Sequence, residues 1–184
     1  MKELSLHLLD IAENSINAES SHITIIVEEN SSNDRLILTV KDNGKGMSAE
    51  MAERIVDPFI TSRTTRKVGL GIPLLKAAAE MCNGFLTVDS TPGVGTKIIV
   101  QFQRSHIDRM PLGDLAGTIL HLVVGSPHIH WTFIYKVNED IYEFDDPFRK
   151  HELDLIPLSE PVILSFIRNE LTSGINNLSL TYEY

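Results

Sequence analysis

Two glycine-rich clusters in this sequence accompany side chains that could hold a nucleotide. Asp42-Asn43-Gly44-Lys45-Gly46 follows an alternating apolar run, residues 36–41, that predicts a strand. A carboxylate at a strand end can accept a hydrogen bond from an exocyclic amine such as that of adenine, and glycines let a flat base approach the backbone. Gly69-Leu70-Gly71 opens a helical segment, where free N–H groups and the helix dipole favour phosphate. Either cluster alone could be a turn or tight packing, but together they favour an ATP pocket.

Three cations stand just before the second glycine cluster. They are Arg63, Arg66 and Lys67, in the stretch Arg63-Thr64-Thr65-Arg66-Lys67. A solvated loop would have the same composition. Guanidinium and ammonium groups beside a helix start nevertheless suit a triphosphate.

The elements that must position these groups follow from hydrophobic periodicity. Residues 3–18 predict an amphipathic helix whose polar stripe includes Asp10 and Asn14, one turn apart. Ser48 predicts the N-cap of a second helix, and Asn83-Gly84 predicts the end of a third that follows Gly71. Alternating residues predict strands over 22–29, 36–40, 85–90 and 96–103.

Residues 105–184 predict a small α/β unit. A helix is expected over Leu112–Val124, a hairpin over Ile129–Val137 and Ile141–Phe144, and a helix from Ser159 to Leu171 that ends before Gly174. One strand face carries Trp131, Phe133 and Tyr135, for which a core role is the default and a partner surface is the more specific hypothesis.

The histidines of residues 105–184 predict neither a metal site nor a phosphoacceptor. His121, His128 and His130 lack a fourth ligand and are a poor zinc signal. His151-Glu152-Leu153 is rejected as a phosphoacceptor box because it lacks long flanking helices.

Composition and charge bound the function. The chain has 184 residues, 42% hydrophobic and 22% charged, which predicts a folded globule. No apolar run reaches the ~18 residues of a membrane span, and the N-terminus does not resemble a signal peptide, so we expect a cytoplasmic protein without membrane contact. Of the net charge of −9, most lies after residue 104, where 5 Lys and Arg face 12 Asp and Glu. Such an acidic surface disfavours nucleic acid as a partner. The single Cys82 predicts a buried free thiol.

Five motifs together resemble the GHKL superfamily of gyrase, heat-shock chaperone, histidine kinase and mismatch-repair ATPases. In order they are residues 10–18 (DIAENSINA), 42–46 (DNGKG), 57–61 (DPFIT), 69–71 (GLG) and 93–96 (GVGT). The resemblance implies an α+β fold of the Bergerat type, a two-layer sandwich with a mixed sheet, helices on one face and an ATP lid. It covers residues 1–104 as the ATP-binding domain and leaves 105–184 as a small appendage of unknown role.

The resemblance also implies roles for particular residues. Asn14 would place its amide oxygen on Mg²⁺, and Asp42 would read the adenine amine with help from Thr96 through water. A lid over Phe59–Val68 would close on the ATP. The remaining nucleotide-binding residues implied are Gly44, Gly46, Met47, Phe59, Arg63, Lys67, Gly69, Leu70 and Gly71.

Asp10 departs from the family pattern, which usually has Glu there in members that activate water or serine and Asn in typical histidine kinases. Water or a hydroxyl must lose a proton, so a carboxylate at this position favours hydrolysis or phosphorylation of serine or threonine. Asp10 is therefore the predicted catalytic residue, and nearby Glu13 is a weaker alternative.

Three functions stay open from the sequence. They are a slow ATPase acting as a conformational switch on a protein partner, a protein kinase acting in trans on serine or histidine, and a nucleotide-binding regulator without turnover. The pattern resembles stand-alone histidine-kinase-like ATPases found beside iron-only hydrogenase genes, which implies a redox-enzyme context for the partner. Nothing in the sequence predicts the oligomeric state.

Overall fold

The computed structural model describes residues 3–57, 71–145 and 160–180. Within these ranges the chain forms five helices and six strands. The helices are α1 (Leu4–Asn17), α2 (Ala49–Ile55), α3 (Gly71–Met81), α4 (Leu115–Gly125) and α5 (Pro161–Leu180). The strands are β1 (His22–Asn30), β2 (Arg35–Asp42), β3 (Phe85–Thr91), β4 (Gly95–Gln103), β5 (His130–Val137) and β6 (Asp140–Asp145).

All six strands belong to one mixed sheet in the order β3-β4-β2-β1-β5-β6. Neighbours pair antiparallel except β1 and β5, which are parallel. Alternate residues of β1, Ile23, Ile25 and Val27, are buried at 0–1% exposure, and they share one core with apolar residues of all five helices. The helices therefore cover one face of the sheet, and the predicted α+β two-layer sandwich is confirmed.

The segment after residue 104 is part of this same sheet. β5 pairs along the free edge of β1, and its buried residues continue the buried rows of β1, with Ile23 opposite Trp131 and Ile25 opposite Phe133. The division into an ATP-binding domain over residues 1–104 and a small appendage over residues 105–184 stays a prediction, and β5 and β6 extend the sheet of the first part. Trp131, Phe133 and Tyr135 are only 1–3% exposed, so the partner-surface hypothesis for this row was wrong and the core role is confirmed.

The start of α2 and the end of α3 lie at the residues that predicted them. Ser48 is the N-cap of α2, and its hydroxyl accepts from the Met51 N–H at 3.3 Å. Beyond α3, Asn83 takes a left-handed conformation with φ of 54°.

No helix in the described part of the chain is long and apolar enough to cross a membrane.

The expected end of the last helix before Gly174 was wrong, because α5 continues through this residue to Leu180. Glycine is needed there for packing, since an added Cβ would overlap the ring of Tyr142 on β6. The Tyr142 hydroxyl donates to the backbone oxygen of Glu170 at 3.2 Å, and burial raises the pKa of Tyr142 to about 12. Gly174 thus lets α5 lie close to the sheet.

Gly174→Ala is expected to lower the free energy of unfolding by about 1–3 kcal/mol, because overpacking against the Tyr142 ring outweighs the better helix propensity of alanine. Chemical denaturation measures this difference. Ser173→Ala is the control, since Ser173 is exposed on the same helix and should change stability little. Equal or greater stability of Gly174→Ala would contradict the packing role.

Candidate functional site

A cavity of about 240 Å³ opens between α1, α2 and α3 and the ends of β2 and β4. Its wall is mostly apolar, with a few polar groups on α1, β2 and β4. The lining residues are Ile11, Asn14, Ser15, Asn17, Ala18, Asp42, Lys45, Gly46, Met47, Met51, Ile55, Ile72, Thr96 and Ile98. An apolar cleft with a small number of placed polar groups is the usual form of a small-molecule site.

Asp42 is the buried carboxylate of this cavity, at 8% exposure. Its Oδ1 accepts from the backbone N–H of Gly44 at 2.9 Å and of Thr96 at 3.3 Å. Its Oδ2 accepts from the Ser15 hydroxyl at 2.6 Å. These three donors fix the carboxylate plane and leave Oδ2 with capacity for one more hydrogen bond.

Hydroxyl groups around Asp42 form contacts that the sequence analysis missed. Besides the Ser15 contact, the Thr96 hydroxyl lies 2.9 Å from the Ser90 hydroxyl, which accepts from the Met47 N–H at 2.8 Å. Thr96, predicted to help read adenine, thus holds Asp42 through its backbone N–H and contacts Ser90 through its side chain. Ser15 follows Asn14 directly in the helix motif, and that adjacency was the available signal.

Gly44 and Gly46 are required by the protein backbone itself. Gly46 has φ of 62°, and an added Cβ would overlap the carbonyl of Thr91. At Gly44 a Cβ would lie 2.6 Å from the Ser20 hydroxyl and 2.7 Å from the Ala18 carbonyl oxygen. The role of both glycines in the approach of the base stays a prediction, and Gly46 lines the cavity.

The polar stripe of α1 leads from the cavity to the start of α3. Asn14 is exposed and lines the cavity, and Asp10 is half-buried one turn earlier. The Asp10 Oδ2 lies 2.7 Å from the position that a Cβ of Gly71 would occupy, so the carboxylate contacts the first residue of α3. The fold therefore brings Asp10 to Gly71, with Asn14 one turn further along α1 at the cavity.

One turn before Asp10, His7 is 4% exposed, and its Nδ1 has no hydrogen-bond partner among the residues that the structure describes. Burial lowers the pKa of His7, which the carboxylate of Asp10 partly offsets. A neutral imidazole is therefore favoured behind the polar stripe.

Several predicted site residues lie outside the described residues. They are Phe59, Arg63, Lys67, Gly69 and Leu70, together with the whole predicted lid Phe59–Val68 and the rejected His151 box. Lys45, which the sequence analysis did not single out as a site residue, lines the cavity and is exposed.

Within residues 3–57, 71–145 and 160–180, no three or more His, Cys, Asp or Glu side chains form a group that could hold a metal ion. His130 instead pairs with Asp145 at 2.5 Å and stacks on His22, with ring centroids 4.4 Å apart. Magnesium keeps several waters and needs few protein ligands, so the exposed amide of Asn14 at the cavity fits this ion.

Residues 2–106 match the family described as "Histidine kinase-, DNA gyrase B-, and HSP90-like ATPase". The match covers more than half of the chain and contains α1 to α3 and β1 to β4, which build the cavity. The chain belongs to this family. Its first part is a GHKL-type ATPase domain, homologous to the ATP-binding domains of histidine kinases, and the resemblance seen in the sequence is confirmed.

Several similar curated proteins are bacterial and are named as sensors. Sensor protein DegM of a Bacillus species is 29% identical over 93 residues, which are 50% of this chain and 25% of that protein. Sensor histidine kinase YxdK of Bacillus subtilis is 33% identical over 38% of this chain and 22% of its own. Sensor histidine kinase ZraS of Salmonella typhi is 36% identical over 48% of this chain and 19% of its own length. The chain thus spans a quarter or less of the length of these relatives.

Solved structures share the fold over a larger part of the chain. The Aquifex aeolicus MutL ATPase domain complexed with ADP superposes with a TM-score of 0.54 at 12% identity, over 94% of this chain and 70% of that one. The N-terminal domain of a DNA repair protein superposes with a TM-score of 0.55 at 14% identity. The superposition covers 79% of this chain and 52% of that one. At these identities the similarity concerns the fold alone.

Proposed function

We propose that the cavity binds ATP, with the adenine amine on Asp42 and the phosphates toward Asn14, Asp10 and the start of α3. The observation that carries this proposal is the buried Asp42, held by three donors in an apolar cavity with one acceptor site left on Oδ2. The apolar lining suits the faces of a purine, and the N-terminus of α3 suits an anion.

Magnesium belongs to the same proposal. When bound, the ion would neutralise and orient the phosphate oxygens, and the Asn14 amide oxygen is the group of this chain that would hold it. Asn14 is exposed at the cavity, so its amide can turn toward a ligand.

Asp10 determines the reaction in this proposal. Its carboxylate can take the proton of an attacking water or hydroxyl, and its contact with Gly71 keeps it at the phosphate end of the site. Because Asp is one methylene shorter than Glu, a bridging water is expected between Asp10 and the attacking group, and turnover is expected to be slow.

The proposed activity is therefore a slow ATPase that acts as a conformational switch on a protein partner in the cytoplasm. Relatives named as sensor proteins support a role exerted on another protein. The hydrogenase context implied by the sequence pattern makes a redox enzyme the first partner to test. The alternative favoured by Asp10 is a protein kinase that phosphorylates a hydroxyl of that partner.

Incubation with γ-labelled ATP tests the function. With Mg²⁺ the protein should release labelled phosphate slowly, and omission of Mg²⁺ should abolish release. If the label appears on the partner protein and no free phosphate is released, the protein is a kinase and the ATPase proposal is refuted. If ATP binds but neither product forms, the protein is a nucleotide-binding regulator without turnover. If ATP does not bind, the whole proposal is refuted.

A further inference from the structure

The open face of the sheet, which is the face turned away from the described helices, carries a band of apolar side chains. Ile26 belongs to it, because it lies between the buried Ile25 and Val27 of β1 and points the other way. A sheet face turned to water is usually polar. Here four isoleucines are partly exposed and lie outside the core, and two residues on the edge strands, Phe85 and Ile141, are 44% and 59% exposed. The apolar residues of the open face are Ile26, Ile37, Ile99, Ile134, Phe85 and Ile141.

The strand register arranges this band almost symmetrically about the line between β2 and β1, which is the middle of the six strands. One row across the sheet contains Ile99, Thr39, Ile26 and Ile134 on β4, β2, β1 and β5. The next row begins with Phe85 on β3 and ends with Ile141 on β6. Ile99 and Ile134 are therefore mirrored across the middle line, and so are Phe85 and Ile141.

The charges of the open face differ between its two halves. Within the strands, the half made of β3, β4 and β2 has three cations and one anion, and the half made of β1, β5 and β6 has three anions and one cation. The charged residues are Lys41, Lys97, Arg35 and Asp89 in the first half and Glu28, Glu143, Asp145 and Lys136 in the second. One face thus joins a cationic half to an anionic half, which makes it complementary to a second copy of itself.

The open face is large enough for a stable dimer. Six strands about 4.8 Å apart, with about six residues each at roughly 3.3 Å per residue, give a face of about 29 Å by about 20 Å. Its projected area is roughly 580 Å², and protruding side chains make the accessible area larger. Specific dimers bury about 600–1,000 Å² on each partner, so this face alone can supply such an interface.

We propose that the open face is the interface of a homodimer, in which a second copy of this chain packs its own open face on it about a two-fold axis parallel to the strands. This rotation keeps the strand direction, as in aligned sheet packing, and places the cationic half of one copy on the anionic half of the other. It also places Ile99 on the partner's Ile134 and Phe85 on the partner's Ile141. A two-fold axis across the strands would instead stack halves of like charge.

Two features of the molecule agree with this arrangement. Asp89 and the partner's Asp145 would come together, but Asp89 lies opposite Lys97 in its own sheet and Asp145 pairs with His130. The nucleotide cavity opens between the helices and the strand ends, on the other side of the sheet. The dimer would therefore leave both cavities open, and the proposal does not depend on what they bind.

Sedimentation equilibrium of the full chain tests the proposal. The parent should have twice the mass of one chain. Ile99→Lys and Ile134→Glu should each raise the dissociation constant of the dimer about 100-fold or more, because each places two unpaired charges in the interface. An equimolar mixture of the two variants should regain a dimer, since the introduced lysine then meets the introduced glutamate at one contact and the native isoleucines meet at the other.

Val162→Lys is the matched control, because Val162 is a 78% exposed apolar residue of α5 on the helix side. It should keep the parental dissociation constant. Circular dichroism of all variants verifies that they are folded.

Cross-linking tests the direction of the axis and does not require a charged variant to fold. In a Cys82→Ala background, Phe85→Cys combined with Ile141→Cys should give covalent dimers with a short bismaleimide, because β3 of one copy lies on β6 of the other. Phe85→Cys alone should not be cross-linked, since the two Phe85 positions lie at opposite edges of the interface.

The possible results decide the proposal. A parent that stays monomeric at about 100 μM overturns it and leaves the open face to a protein of another kind. A dimer that both charged variants form as tightly as the parent lies elsewhere on the molecule and also overturns it. Cross-linking of Phe85→Cys alone would refute the axis parallel to the strands.

Discussion

Asp10→Asn is expected to bind ATP as the parent protein does and to turn it over about 10²–10⁴-fold more slowly. The amide keeps the shape of the side chain and its contact with Gly71, but it cannot take a proton from water or a hydroxyl. Binding is measured by calorimetry and turnover by phosphate release at saturating ATP and Mg²⁺. An effect on rate without an effect on affinity would identify Asp10 as the catalytic base.

Two variants control this experiment. Glu13→Gln changes an exposed carboxylate of the same helix and should leave turnover unchanged. Asn14→Ala should lose the magnesium-dependent part of the ATP affinity, because the proposed ligand of the ion is removed. If Asp10→Asn is as fast as the parent, Asp10 has no catalytic role. A loss of turnover in Glu13→Gln would instead transfer that role to Glu13.

Asp42→Asn is expected to weaken ATP binding by about 1–3 kcal/mol, or roughly 5- to 150-fold. An amide has one acceptor oxygen, while the carboxylate accepts from Ser15, Gly44 and Thr96 at once. Whichever way the amide turns, its NH₂ group replaces one acceptor oxygen of the carboxylate. Calorimetry with ATP and Mg²⁺ measures the loss.

Asp89→Asn serves as the control for Asp42→Asn, because Asp89 is an exposed carboxylate on the edge strand β3, which β4 separates from β2. Its ATP affinity should equal that of the parent. Thermal unfolding of both variants shows whether the fold is retained. Unchanged ATP affinity in a folded Asp42→Asn would refute the assignment of Asp42 to adenine, and with it the proposed orientation of the nucleotide.

Local patterns in the sequence carried much of the fold and of the candidate site. Period 3.6 in residues 3–18 predicted α1, and alternation predicted the strands, because an amphipathic element must turn one face to a core. The spacing of Asp10 and Asn14 predicted a shared face of α1. The motifs around Asp42 and Gly71 predicted a nucleotide site, and the structure has a cavity lined by Asp42 and Ile72. These inferences depend on residues close together in the chain, where geometry is fixed by the backbone.

Only the tertiary structure decided what depends on distant pairing. β5 lies parallel to β1, so Trp131 and Phe133 belong to the core, and no local pattern specifies which strand edge a later strand will join. Gly174 predicted a helix end, but in the structure it lies inside α5, where the Tyr142 ring occupies the space that a side chain would need. Ser15 and Asp42 are 27 positions apart, and their hydrogen bond exists because α1 packs on β2. The sequence by itself determined the element types and the chemical groups of the site, whereas contacts between α1, β2 and β4 decided which atoms of Asp42 remain free for a ligand.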